Sequence, residues 1–158
     1  MIVEKIAGNT CSLDIGERRV ESVRVHSDDL AKRILRLTTD SGREIGIRLA
    51  EPKDLCDGDV LYMDEERAIV LRVIPERLLV ITPRSLREMG VVAHQIGNRH
   101  IPAQFEEDAM LVQYDALLEE MLKELGVAYT VEERAVRKAF RPVGHSHHHN
   151  HHHSHHHG

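Results

Sequence analysis

The hydrophobic pattern of this chain changes at Pro75, and the change predicts two different architectures in series. Before Pro75 the apolar residues fall into six short runs separated by turn residues, which is typical of β-strands. Two runs flank residues 40–42 and two flank residues 64–66, so each pair predicts a hairpin. We therefore expect residues 1–74 to form a small β-sandwich or barrel, with at most one helical turn near 28–33.

After Pro75, segments with strand and helix periodicity alternate. Ser85 is followed three residues later by Glu88, which is the capping-box signature of a helix start, and Gly97 is placed to end that helix. A hairpin with strand periodicity follows, and then a second helix that Gly126 closes and a last strand. The resulting order is β-α-β-β-α-β. This order predicts an α+β chain whose second domain, residues 75–143, is ferredoxin-like, with both helices on one face of an antiparallel sheet.

Composition and charge exclude several classes of function. The net charge is −5 with neutral histidines and no long basic run is present, so a nucleic-acid partner is not expected. No apolar stretch approaches the length of a membrane span, and the first residues lack a secretory pattern, so no membrane association is expected. Cys11 and Cys56 lie far apart, as ordinary thiols of a reducing compartment do, and we expect a cytoplasmic protein.

The end of the chain is a histidine-rich segment, GHSHHHNHHHSHHHG, over residues 144–158. Neutral imidazole suits Ni²⁺, Cu²⁺ and Zn²⁺ and is a poor ligand for Mg²⁺ and Ca²⁺. Ser146, Asn150 and Ser154 interrupt the triplets, which favours a native segment over an affinity tag. We expect a tail that is disordered without metal and binds it through ten ligands: His145, His147, His148, His149, His151, His152, His153, His155, His156 and His157.

A further candidate ligand is His100, which lies in the motif IGNRHIPAQF, between the first predicted helix and the next strand. Pro102 restricts the backbone of the preceding residue, so a side chain at this junction is presented stiffly. One imidazole does not hold a metal tightly. Two can do so if the protein is a symmetric dimer whose isologous interface brings this residue of both subunits together, and His145 and His147 of the tail could then supply the remaining ligands.

The segments EMGVVAHQIGNRH and VQYDALLEEML, together with the β-rich first half and the histidine-rich end, resemble the UreE family of urease accessory proteins. That resemblance implies a nickel metallochaperone of urease maturation, which is not an enzyme. It implies a homodimer formed through the second domain, with Ni²⁺ held between subunits by His100 and by tail histidines. It also implies that residues 1–74 bind partner proteins or peptides, namely the urease GTPase accessory protein and the urease apoprotein with its accessory complex.

The chain departs from the family pattern at Tyr114-Asp115-Ala116, where some members carry a further His-x-His pair. We therefore expect an auxiliary metal site to be missing here. The departure leaves His100 in place and increases the reliance on the tail.

Two other functions are alternatives to the metallochaperone: a metal buffer and a metal-dependent hydrolase. A nickel or zinc buffer without a dedicated client accounts for the tail equally well, but such a protein needs neither His100 nor a separate β-rich domain. A metal-dependent hydrolase needs a fixed three-ligand site and a nearby general base, and no HExxH or comparable cluster occurs in the folded part. Glu106, Glu107 and Asp108 are interpreted as a solvated hairpin turn.

Overall fold

The computed structural model describes residues 1–140, which form three β-sheets and two α-helices. The arrangement confirms the predicted α+β class, with a β-rich first part and a βαββαβ second part. The tail at 144–158, with the disorder predicted for it, lies outside the described residues. None of the helices within residues 1–140 is both long enough and apolar enough to cross a lipid bilayer.

The first part contains one strand more than predicted, arranged in two sheets. One sheet has the order β1-β5-β4 and the other β2-β6-β7-β3. Its strands are β1 (Ile2–Val3), β2 (Gly8–Asn9), β3 (Arg19–Val25), β4 (Ile34–Thr38), β5 (Glu44–Arg48), β6 (Asp59–Met63) and β7 (Arg67–Val73).

Both predicted hairpins of the first part are present, as the antiparallel pairs β4–β5 and β6–β7. The helical turn expected near 28–33 is a 3₁₀ turn at Ser27–Asp29. The first apolar run of the sequence pairs only over the two residues of β1, which lies parallel to β5. The strand β3 lies parallel to β7, so both sheets are completed by contacts between residues far apart in sequence.

The second part follows the predicted order. Its four strands form one antiparallel sheet with the order β11-β8-β10-β9, which is the ferredoxin-like arrangement. Its elements are β8 (Glu76–Ile81), α1 (Leu86–Asn98), β9 (Ala103–Phe105), β10 (Met110–Gln113), α2 (Ala116–Leu125) and β11 (Tyr129–Arg134).

The sheet of the second part is buried on both faces. On β8, Leu79 and Ile81 pack with residues of the two helices, whereas Leu78 and Val80 join the aliphatic core of the first part. Because successive side chains of a strand point to opposite faces, one strand contributes to two cores. Each such side chain contributes about 1.5–3 kcal/mol on full burial, so this sheet holds the two parts together.

A polar cluster closes the junction between the two parts. The Ser27 hydroxyl donates to Glu76 Oε1 at 2.5 Å, and the Gln113 amide donates to Glu76 Oε2 at 3.1 Å. The same amide donates to Asp28 Oδ1 at 3.0 Å. Ser27 is buried, and its partner Glu76 begins β8, so the cluster fixes the chain directly after Pro75.

The last described residues run back between the two parts. The backbone N–H of Asp57 donates to the carbonyl of Arg137 at 2.9 Å. The side-chain amide of Gln104, on β9, donates to the carbonyl of Lys138 at 2.8 Å. Val136 is buried and Phe140 packs on the same core, so the backbone is held as far as the last described residue.

We predict that Ser27→Ala lowers the free energy of unfolding by about 1–3 kcal/mol, because Glu76 and Gln113 each lose a partner at a partly buried site. Urea unfolding measures this change. Thr130→Ala is the matched control, since it removes an exposed hydroxyl that bonds only Glu132 and should change stability by less than about 0.5 kcal/mol. Equal stability of the two variants would contradict a structural role for the cluster.

Candidate metal centre

His100 occupies the left-handed position that ends helix α1. Its φ is 55°, and among residues 1–140 it is the only residue other than glycine with a positive φ. The N–H of His100 donates to the carbonyl of Gly97, and the N–H of Ile101 donates to that of Ile96. These two bonds form a Schellman motif, with His100 at the position that glycine usually fills.

The prediction that Gly97 ends this helix was wrong. Helix α1 continues to Asn98, and the chain reverses at His100, three residues after Gly97. The physical reason is the hydrophobic contact that accompanies a Schellman motif: Ile96 is fully buried, and Ile101 packs against the same core. That contact places the left-handed residue between them, whichever side chain it carries.

Helix α2 ends in the same way, and there the prediction is confirmed. Gly126 has φ 69° and its N–H donates to the carbonyl of Lys123, while Val127 donates to Leu122. The two helix ends are therefore equivalent in backbone geometry, with glycine at one and histidine at the other. A side chain in the left-handed region costs roughly 1–2 kcal/mol, so an imidazole at this position points to a use for the ring.

The surroundings of His100 hold its backbone firmly and leave the residue exposed. Ser85 caps the start of α1, its Oγ accepting from the N–H of Glu88 at 3.1 Å. The reciprocal half of the predicted capping box is not formed, since Glu88 Oε1 is buried and has no hydrogen-bond partner within residues 1–140. On the other side, β9 begins three residues after His100, at the buried residue Ala103.

His100 does not form a complete metal site with the other described residues. Within residues 1–140 no group of three His, Cys, Asp or Glu side chains is placed to hold an ion. His94 lies on the exposed side of α1, with Nε2 3.4 Å from the amide nitrogen of Asn98. The ten predicted ligands of the tail lie outside the described residues, so a complete site draws on the tail, on a second copy of the chain, or on both.

The residues at the auxiliary position of the family have structural roles here. Asp115 caps α2, with Oδ1 accepting from the N–H groups of Leu117 and Leu118. The ring of Tyr114 lies 4.1 Å from the guanidinium carbon of Arg77. An Asp at the start of a helix and an aromatic ring under an arginine are stabilising arrangements, and neither requires a metal ion.

The two cysteines offer poor alternatives to imidazole. Burial raises the pKa of the Cys56 thiol, so this thiol is protonated at neutral pH, whereas a metal ligand must be a thiolate. Cys11 is exposed, and its sulfur accepts a hydrogen bond from Arg137 at 3.1 Å. Neither cysteine is therefore a better candidate ligand than the exposed imidazole of His100.

Comparison with known proteins decides the family. The model of the UreE urease accessory protein N-terminal domain matches residues 3–73, and the model of the C-terminal domain matches residues 76–158. The chain belongs to the UreE family of urease accessory proteins. The second match extends through the histidine-rich segment to the last residue.

Individual relatives agree with this family. The urease accessory protein UreE of Geobacillus kaustophilus (strain HTA426) is 58% identical over 147 residues, and that of Staphylococcus aureus (strain MRSA252) is 57% identical over 149 residues. That of Bacillus sp. (strain TB-90) is 51% identical over 147 residues. Each alignment covers 93% of this chain and 99% of the relative. As a UreE the chain is an accessory protein of urease and not an enzyme.

We predict that His100→Gly is more stable than His100→Ala by about 1 kcal/mol in the metal-free protein, because only the alanine variant keeps a Cβ in the left-handed region. Urea unfolding of both variants measures the difference. Gly97→Ala is a control of opposite sign: it lies inside α1 with open space around its Cβ position, and should stabilise by about 0.5–1 kcal/mol. An alanine variant at 100 as stable as the glycine variant would contradict the assigned geometry.

Proposed function

We propose that this chain is a nickel metallochaperone, which binds Ni²⁺ through His100 and the tail histidines and delivers it for assembly of the urease metallocentre. The observation that carries the proposal is His100, an exposed imidazole at a helix end whose backbone geometry favours glycine. Membership of the UreE family supports the link to urease maturation. Imidazole is a suitable ligand for Ni²⁺ and also takes Zn²⁺ and Cu²⁺.

The path of the chain before the tail supports a site shared by His100 and His145 or His147. Gln104 holds the carbonyl of Lys138, and Gln104 is four residues from His100, at most about 14 Å along an extended chain. Phe140, the last described residue, packs on the core, and the five residues from there to His145 span up to about 18 Å. A tether of this length that starts near the held carbonyl of Lys138 favours a site that His100 shares with a first tail histidine of the same subunit.

A homodimer through the second domain brings two copies of His100 into one site. In an isologous interface a residue near the two-fold axis meets its own copy, so two fixed imidazoles become available to one ion. Helix α1, which ends at Asn98, two residues before His100, exposes large apolar side chains: Leu86, at its first turn, is 90% exposed and Val91, near its middle, 43%. Exposed aliphatic side chains along the helix that leads to the ligand favour an interface of the second domain, with tail histidines completing the coordination.

Fixed and movable ligands suit the delivery of an ion. The two copies of His100 bind the ion at one defined position. The tail imidazoles are nearly equivalent to one another, so they release the ion one ligand at a time. We assign residues 75–143 to metal binding and dimerisation, and residues 144–158 to additional capacity. Residues 1–74 are assigned to partner binding in the cytoplasm, where the partners are the urease GTPase accessory protein and the urease apoprotein with its accessory complex.

The alternative is a nickel or zinc buffer with no dedicated client. Ten of the thirteen histidines lie in the tail, and this distribution favours storage as much as delivery. A buffer makes no use of a fixed His100, so the contribution of this one residue separates the two functions.

We predict one tight nickel-binding event that requires His100. Calorimetric titration should show it in the full chain and in a truncation after His147, and should show it lost in His100→Ala. A truncation after Val143 should bind more weakly, because tail ligands are missing. The tail beyond His147 should account for additional, weaker equivalents. If His100→Ala changes nothing and all binding is lost with the tail, the protein is a buffer and the His100 site is wrong.

We also predict that nickel affinity falls more than tenfold between pH 7.5 and pH 5.5. Imidazole takes up a proton near pH 6.5, and each ligand must be neutral to bind the metal. Calorimetry at the two pH values, with the heat of buffer ionisation subtracted, measures the change. Binding with the same affinity at both pH values would exclude imidazole as the main ligand.

A further inference from the structure

The outer face of the β1-β5-β4 sheet combines exposed isoleucines with arginines. Ile2 on β1 is 71% exposed and Ile34 on β4 is 73% exposed. The outward positions between them hold Arg36 on β4 and Gly46 and Arg48 on β5. We call these five residues the Ile–Arg face.

The register of the sheet brings these residues together. Arg36 lies opposite Gly46, and Gly46 lies opposite Ile2, so the three form one row across the sheet. Ile34 lies opposite Arg48 in the next row. Residues opposite each other have Cβ atoms about 4.5–5.5 Å apart, and diagonal neighbours are about 7–8 Å apart. Gly46 has no side chain, and Cγ1 of Ile2 lies 3.8 Å from the position that a Cβ would take there, so the centre of the face separates an arginine from an isoleucine.

The two arginines of this face differ from other arginines of the same part of the chain. Arg43 and Arg67 lie 3.4 and 3.9 Å from the carboxylate of Glu21. Within residues 1–140, Arg36 and Arg48 have neither an ion pair nor a side-chain hydrogen bond. Glu44 is the acidic residue on the outer side of this sheet, and it lies in a third row, opposite Thr38. In a chain of net charge −5 this face is locally basic.

The outward positions of the sheet depart from the usual polar pattern at Ile2 and Ile34. Its inward residues, among them Val3, Ile45 and Ile47, fill the core of the first part. A sheet with one face in water normally places polar residues outward, as in an alternating hydrophobic and polar pattern. Here two of the outward positions are isoleucines that contribute nothing to the core and leave most of their surface in water.

We propose that the Ile–Arg face is the docking surface for a protein segment that carries carboxylates beside apolar side chains, on a protein partner of urease maturation. Carboxylates satisfy Arg36 and Arg48 through charge-assisted hydrogen bonds, while apolar side chains cover Ile2 and Ile34. Two arginines between isoleucines match a mixed acidic and apolar surface better than a phosphate backbone, which requires clustered cations. The proposal rests on the proposed function and assigns it a partner surface.

The test uses full-length chains and two purified probes, the urease GTPase accessory protein and the urease apoprotein, in an optical binding assay. Arg36→Glu/Arg48→Glu should weaken binding of at least one probe more than tenfold, and Ile34→Ser should weaken it more than threefold. The matched control is Arg19→Glu/Arg24→Glu, which makes the same charge change at exposed positions of β3 in the other sheet. The control should stay within twofold of the unsubstituted chain. Calorimetry should show unchanged nickel binding in all variants, and urea unfolding unchanged stability.

Several results would overturn the proposal. One is an equal loss of probe affinity in Arg36→Glu/Arg48→Glu and in the control double variant, which indicates a general charge effect. Another is unchanged affinity of the Arg36→Glu/Arg48→Glu chain, or no binding of either probe by the unsubstituted chain. Binding through this face only to phosphatidylglycerol vesicles would assign it to a membrane, and loss of self-association in the variants would assign it to a second copy. In each case the calorimetric titration tests nickel binding by His100 independently of the docking surface.

Discussion

The two-sided burial of strand β8 is the constraint on which the rest of the structure depends. Four consecutive aliphatic residues, Leu78 to Ile81, alternate between the helical core and the core of the β-rich part. The helices are thereby fixed relative to the sheet, and the end of α1 is fixed relative to β9. Because the β-rich part covers the opposite face, the chain that leaves β11 returns over the junction, where Asp57 and Gln104 hold it. The position of His100 and the course of the last described residues both follow from this packing.

His100 links this packing to the proposed chemistry. The Schellman ends of α1 and α2 share one hydrogen-bond pattern, yet glycine fills one left-handed position and histidine the other. The difference carries a conformational cost at His100 that a packing role does not explain. In the proposed function, His100 is the ligand of fixed position and the tail histidines are the ligands that release the ion. The Ile–Arg face lies on the other part of the molecule, so the proposed metal site and the proposed docking surface are separate.

Local patterns predicted most of the fold, because they depend on neighbours in sequence. The cap at Ser85, the end at Gly126, both hairpins of the first part and the βαββαβ order follow from such patterns, and the structure confirms them. The parallel pairs of β1 and β3, and the two-residue strand β2, depend on long-range contacts that periodicity does not report. Gly97 misled because glycine is common at helix ends, whereas the packing of Ile101 against the core that contains Ile96 decided the position. His100 was predicted as a ligand from its motif and not from its geometry. The alternation in β4 places Ile34 outward, but it does not report whether another element covers that face.

The central claim is that His100 of each subunit binds the same nickel ion. Nickel X-ray absorption on a truncation after Val143, loaded with one ion per two chains, tests it most directly, because no tail histidine is present. The account predicts two imidazoles per nickel ion and the loss of their scattering in His100→Asn, which keeps a side chain tolerant of the left-handed region. Nickel without imidazole ligands in the truncated chain, or the same spectrum in His100→Asn, would contradict it.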